Sequence, residues 1–251
     1  MKFVIRLLSV IALFSSVVVG NESALVSAAK ENNIKGVEAA LKAGENIDTS
    51  GQGGAHALMW AAKNNSQDLL DLLLSKGADV NAQDNAGYTA LLYACNEGNV
   101  KIAVSLIEHK ADVNLHTKNS NTPLIIAVQK GQLNIVRLLI DKGAKIDMTD
   151  SGGYTPLMYA VQEHAESAAK ISQFLIKHGA NANAKDDEGY TVLMAAAEVG
   201  HGNIVKLLLK NGANKNEKDA EDMTALDYAQ EMEPADDKEV QKQKEVIALL
   251  K

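Results

Sequence analysis

The chain has 251 residues, a net charge of −7 at pH 7 and a single cysteine. The acidic balance disfavours non-specific binding to nucleic acid or to an anionic membrane face, and no basic stripe argues back. By length the chain could hold one or two globular domains, and one thiol lets it pass through an oxidising compartment without mispairing.

The first element is a leader. Lys2 and Arg6 precede a thirteen-residue, mostly apolar run from Leu7 to Val19. A membrane span needs about 20 residues, so the run is short for one. Val18-Val19-Gly20 precedes a cut before Asn21, the pattern of a secretory signal peptide over residues 1–20. An uncleaved N-terminal anchor is the alternative. No cysteine stands at the junction, which disfavours lipid attachment. Loss of Lys2 and Arg6 would move the net charge from −7 to −9. No later segment has the pattern of a membrane span, so no membrane contact is expected after cleavage.

From residue 22 a leucine recurs: Leu25, Leu58, Leu91, Leu124, Leu157, Leu193 and Leu226. The steps are 33 residues, except 36 between Leu157 and Leu193. A fixed period in this range marks a repeat architecture, which offers a surface more often than a catalytic cleft. Other columns follow the leucine. Thr89, Thr122, Thr155, Thr191 and Thr224 stand two residues before it, with Pro123 and Pro156 between. Ala28, Ala61, Ala94, Ala127, Ala160, Ala196 and Ala229 stand three after it, and Gly98, Gly131 and Gly200 seven after. Gly77-Ala78, Gly143-Ala144, Gly179-Ala180 and Gly212-Ala213 close units.

These columns have a direct physical reading. Thr caps a helix and Pro suits its first position. Ala allows a neighbouring helix to approach. Glycine near each helix end takes a left-handed conformation. A second helix carries an apolar stripe, as in Ile135, Val136, Leu138, Leu139 and Ile140. Each helix is only about nine to eleven residues, too short to stand alone, so the chain must be one cooperative stack.

The register of columns resembles the ankyrin repeat over nearly all of residues 22–251. The resemblance implies an all-α solenoid of helix-turn-helix units with β-turn tips. The units fall at about 22–53, 54–83, 84–116, 117–149, 150–185, 186–218 and 219–251, the first and last acting as caps. The family's Thr-Pro-Leu-His motif is altered: its His column reads Met59, Leu92, Ile125, Met158 and Met194. Apolar packing is expected to replace the polar links that this His usually makes. His56 replaces a Thr and weakens that cap, and Lys110 replaces a glycine where positive φ is strained. About three extra residues near His164-Ala165-Glu166-Ser167-Ala168 are expected to enlarge the turn between the fifth unit's helices. Residues 231–245 alternate acid and lysine, as a charged capping helix would.

No catalytic constellation stands out, and no cofactor is expected. None of the six histidines has a second His or Cys at metal-ligand spacing. His109 and His178 share a column at a helix end, where a polar or positive group suits the helix dipole. Gly51-Gln52-Gly53-Gly54 lacks the Lys-Ser/Thr of a phosphate loop and reads as a turn. Asp186-Asp187-Glu188-Gly189 lacks the later ligands of a calcium loop and reads as a solvated β-turn. Cys95 falls in a column of alanines and reads as small-residue packing.

In ankyrin repeats the partner face comes from the turn tips and the exposed side of the first helices. By that resemblance the column before Thr is exposed, and it holds Tyr88, Tyr154 and Tyr190. These are candidate partner-binding residues, with Asp187 and Glu188 on the adjoining tip. Tyrosine is a good interface residue, large and amphipathic. Local packing, each ring lying on the next turn, remains the other reading. Trp60, Tyr93, Ile126, Tyr159 and Tyr228 form a second column, expected to be core. The functional expectation is a non-enzymatic, exported protein-protein interaction module, monomeric, docking a protein partner on its concave face. The alternative is an enzyme or accessory subunit dependent on the irregular C-terminal unit.

Overall fold

The computed structural model describes residues 22–162 and 166–251. The expected leader at residues 1–20, Asn21, His164 and Ala165 lie outside them. The described residues form fourteen α-helices in chain order and no strand. They pair as α1 (Ala24–Lys30) with α2 (Ile34–Lys42), α3 (Ala57–Lys63) with α4 (Gln67–Ser75), and α5 (Ala90–Glu97) with α6 (Val100–Glu108). Then come α7 (Pro123–Gln129) with α8 (Leu133–Asp141), α9 (Pro156–Gln162) with α10 (Glu166–Lys177), α11 (Val192–Glu198) with α12 (Gly202–Lys210), and α13 (Ala225–Glu231) with α14 (Asp237–Leu250). The result is an all-helical solenoid.

Five first helices start on threonine, while Ser23 and His56 hold that place in the first two units. The Oγ1 atoms of Thr89, Thr122, Thr155 and Thr191 accept from the N–H three residues on, at 3.1–3.3 Å. His56 makes no such bond. Its Nδ1 turns instead to the carbonyl of Asp48 at 3.0 Å. The helices end on left-handed residues: Gly98, Gly131 and Gly200, with Asn32 and Asn65 filling that column in the first two units. Asparagine is the non-glycine residue that tolerates this conformation best. Lys110 is held at φ 74°, as its column requires.

Leu25, Leu58, Leu91, Leu124, Leu157 and Leu193 are all buried, and only Leu226 of the last unit is half-buried. The alanine column beside them is buried too, so successive first helices pack more closely than successive second helices do. A stack that is tighter on one side must curve, and the first helices line its inner side. Met59, Leu92, Ile125, Met158 and Met194 are buried, so apolar packing fills the altered His column. Cys95 is buried and unpaired in the same layer, and burial pushes its thiol up, away from the reactive thiolate.

Two polar ladders join the units along the loops between each second helix and the next first helix. The side chains of Asp48, Asn81, Asn114 and Asn183 accept the backbone N–H of Asp79, Asp112, Lys145 and Asn214, each at 2.8 Å. At the tips, Asn85, Lys118 and Ala220 donate backbone N–H to Gly53, Ala86 and Glu188 at 2.9 Å. A Cβ at Gly87 or Gly153 would sit 2.8–2.9 Å from the backbone N of Lys118 or Asp187, so glycine lets these two tips approach their neighbours.

The long step lengthens the second helix. Helix α10 has 12 residues where the other internal second helices have nine, so Glu166, Ser167 and Ala168 are helical. Three residues add nearly one turn, which roughly keeps the apolar face toward the core. Of the charged segment 231–245, residues 237–245 lie in α14, as expected, while Glu231 ends α13 and 232–236 link the two. Asp236 caps α14, and Gln243 Nε2 donates to the carbonyls of Ala229 and Met232 at 3.0 Å, closing the end of α13. His109 and His178 each place Nδ1 2.8 Å from a carbonyl one turn back, an end-of-helix role.

Candidate functional site

All six tyrosines of the chain lie along the inner face, in two columns. Tyr88, Tyr154 and Tyr190 enter the first helices from the tips. Tyr93, Tyr159 and Tyr228 lie on those helices. The expectation for the second column needs correction: only Ile126 is fully buried there, while Trp60, Tyr93, Tyr159 and Tyr228 are half-buried. The reason is polar. Each tyrosine donates its hydroxyl to an aspartate nine residues earlier: Tyr93 to Asp84 at 2.8 Å, Tyr159 to Asp150 at 2.5 Å, Tyr228 to Asp219 at 2.6 Å. The ring covers core and its hydroxyl end reaches the face.

The other oxygen of each aspartate builds the tip. Asp84 Oδ1 accepts the N–H groups of Ala86 and Tyr88, and Asp150 Oδ1 those of Gly152 and Tyr154. Asp186 and Asp219 repeat the turn. The reading of Asp186-Asp187-Glu188-Gly189 as a β-turn therefore holds. Residues 52–54 likewise form a short 3-10 turn.

The candidate column is half-buried rather than freely exposed. Tyr88 lies against Tyr93 and Tyr154 against Tyr159, with ring centroids 5.2 and 5.4 Å apart. The sixth unit breaks this pattern, because Ala195 stands where the ring would be. Tyr190 leans instead on Tyr228 of the next unit, edge to face at 5.2 Å, and donates its hydroxyl to Glu198.

The missing ring leaves a recess of about 380 Å³ between the fifth and seventh units. Tyr154, Tyr190 and Tyr228 form its aromatic lining, with Gln162 among them. Asp186, Glu188, Glu198, Asp219 and Glu221 surround the rings with carboxylates. Burial and then the Glu198 hydrogen bond raise the Tyr190 hydroxyl above the ordinary range, so it stays a neutral donor. Burial tends to raise Asp219, but the Tyr228 hydroxyl and two backbone N–H groups outweigh it and lower the carboxyl. The recess is a ring-lined, negatively charged hollow. It can hold a cation or a hydrogen-bond donor.

Of the candidate residues, Tyr154, Tyr190 and Glu188 come together here. Asp187 is exposed on the same tip but does not line the recess, and Tyr88 lies two units away. Gln162, Glu198 and Glu221 were not singled out from sequence. The Asp–Tyr pairs at spacing nine were a usable signal: Asp84 and Tyr93, Asp150 and Tyr159, and Asp219 and Tyr228 recur, while Asp186 is followed by Ala195.

At the other end Trp60 forms a second aromatic platform. Lys30 and Lys63 place Nζ 5.5 and 5.1 Å from its ring centroid, within cation–π range. Its indole N–H is buried and has no hydrogen-bond partner.

Among the described residues no helix is long and apolar enough to cross a membrane. The family pattern described as ankyrin repeats (3 copies) matches residues 6–84, 25–117, 58–150 and 91–186, and ankyrin repeats (many copies) matches 175–229. The chain belongs to the ankyrin-repeat family. Its fold is similar to the ankyrin repeat domain of Bcl-3, described as a unique member of the IkappaB protein family, with TM-score 0.76, 26% identity, and coverage of 92% of this chain and 98% of that one. It is also similar to the human ASB11 ankyrin repeat domain, with TM-score 0.73, 23% identity, and coverage of 90% and 96%. No curated protein sequence gives a match. Ankyrin repeats are generally protein-protein interaction modules, and typically non-enzymatic.

Proposed function

We propose that this protein is an exported, monomeric, non-enzymatic docking module that holds a protein partner on the inner face of its first helices. The observation that carries the reading is the recess at Tyr154, Tyr190 and Tyr228, where half-buried rings and carboxylates line one hollow. Half-buried tyrosines are rigid and lose little entropy on contact. The tip acids Asp187 and Glu188 are exposed beside them and would steer a partner with a basic or mixed surface.

Export rests on Lys2 and Arg6 ahead of the Leu7–Val19 run. The destination is extracytoplasmic, periplasmic or secreted. The lysine- and asparagine-rich composition fits a bacterial source. Protection of an exported enzyme, inhibition of a toxin and delivery to a host cell are the roles within this reading. Terminal mass spectrometry of protein from the native cell tests export, with Asn21 as the expected first residue; intact Met1 in the cytosol contradicts it. Capture from an extracytoplasmic fraction tests docking, with one protein retained stoichiometrically and released by substitutions in the recess. Turnover of a substrate by the protein alone would contradict the non-enzymatic reading.

A further inference from the structure

One column of the inner face changes charge from end to end. It stands five residues after the repeating leucine and reads Lys30, Lys63, Asn96, Gln129, Gln162, Glu198 and Glu231. Two cations, three amides and two carboxylates follow in strict order along the stack. The column flanks the aromatic residues throughout. Lys30 and Lys63 lie over Trp60, with Glu22 4.0 Å from Lys30. Gln129 lies beside the Tyr159 hydroxyl, and Gln162 lines the recess with Tyr154. Glu198 holds Tyr190 in the recess.

We infer that the inner face is a charge-ordered track for one extended protein segment, whose basic end lies over the sixth and seventh units and whose acidic end lies over the first and second. The inference rests on the docking reading and specifies the partner's chemistry. Basic side chains enter the recess, where they meet Glu188, Glu198, Asp219 and Glu221 with ring faces beside them. Acidic side chains meet Lys30 and Lys63 at the Trp60 platform. The three central amides can donate to and accept from an extended backbone, which needs no charge.

The distances make the two ends independent. From Lys63 to Glu198 is four units, and adjacent helices pack about 8–10 Å apart, so the span is about 32–40 Å. That is several Debye lengths at physiological salt, about 8 Å each. Each end therefore reads only the charge placed on it, and order along the segment becomes a recognition feature. An extended chain covers the span with about 10–12 residues.

The test uses two synthetic 14-residue peptides of identical composition. One carries its Glu and Arg residues in separate end blocks, and the other has them alternating. The full mature chain should bind the blocked peptide about tenfold more tightly at physiological salt, as a few exposed ion pairs would give. A photocrosslinker at the basic end should mark the sixth and seventh units, and one at the acidic end the first and second. In the variant Lys30→Glu, Lys63→Glu, Glu198→Lys, Glu231→Lys, net charge is unchanged and the crosslinking order should reverse. All four side chains are exposed, so folding should be kept. Equal affinity for both peptides, binding of neither, or an order that the variant does not reverse would overturn the track. None of these results would overturn docking itself, which is judged by the native partner's response to tyrosine substitutions.

Discussion

Tyr159 donates its hydroxyl to Asp150 Oδ2 at 2.5 Å while Asp150 Oδ1 receives the N–H groups of Gly152 and Tyr154 at 2.9 and 3.0 Å. One carboxylate thus ties a tip turn to the helix that follows it. Asp84–Tyr93 and Asp219–Tyr228 repeat the tie. Where the fourth unit abandons it, Thr117 and Ile126 replace both members, so no lone carboxylate or hydroxyl remains.

Tyr159→Phe should lower stability by about 0.5–1.5 kcal/mol, the net worth of one hydrogen bond. Asp150→Ala removes the turn bonds as well and should cost more. The double variant Asp150→Ala, Tyr159→Phe should cost less than the two single changes together. Urea unfolding at unchanged slope measures all four. Additive losses would show that the pair is not coupled.

The hydroxyls predict an alkaline limit. Burial, and next the Asp150 bond, push Tyr159 up to about 12, and Tyr93, Tyr190 and Tyr228 are raised for like reasons. An unfolded tyrosine ionises near 10. A folded value above the unfolded one contributes stability that is whole below about pH 10 and lost as pH rises through about 12. The melting temperature should hold to about pH 10 and then fall, with tyrosinate absorbance appearing late. Asp219 and Asp227 have the opposite sign. Their lowered carboxyls stabilise above about pH 4, and that contribution is lost as pH falls through their folded values. Melting curves flat from pH 9 to 12 would contradict the tyrosine account.

Lys110→Gly should stabilise the protein. Lys110 sits at φ 74° in a column otherwise held by glycines such as Gly77 and Gly143. The left-handed conformation costs a side chain about 1–2 kcal/mol, and glycine's greater unfolded freedom offsets about 0.4–1 of it. A gain of about 0.5–1 kcal/mol in thermal or urea unfolding is expected. A loss would mean that Lys110 makes a contact worth more than the strain.

The stack itself predicts position-dependent losses. Leu124 is buried at the centre of the array and Leu250 at its end. Leu124→Ala should cost about 2–5 kcal/mol, and Leu250→Ala less, since only one neighbour shares its core. Equal losses would contradict a linear array capped by α14.

The period made the fold legible. Leu25 through Leu193, the threonine caps and the left-handed glycines are each fixed by local chemistry that one residue states. The site was only half legible. Tyr154, Tyr190 and Glu188 could be placed on the inner face by column. What gathers them is an absence, Ala195 in a column of rings, and a single alanine carries no signal by itself. Tyr93, Tyr159 and Tyr228 read as core because an aromatic at helical spacing looks apolar, and their hydroxyl partners lie nine residues back across a turn. The extra residues before Ile171 could lengthen a turn or a helix equally well in sequence, and packing of α10 against its neighbours decided for the helix.

The central claim is that the tyrosines of the inner face hold a protein partner, and its most direct measurement is the affinity of the captured native partner for the parent and for Tyr88→Ala, Tyr154→Ala, Tyr190→Ala. Binding is measured well below the melting temperature, with the helical signal confirmed equal, because the half-buried rings also contribute to stability. Arg137→Ala, on the second-helix side against Phe174, is the control. Interface aromatics often contribute about 2 kcal/mol or more each, so the triple variant should bind well over tenfold more weakly while the control binds like the parent. A folded triple variant that keeps the parent's affinity would contradict the account and put the partner elsewhere on the solenoid.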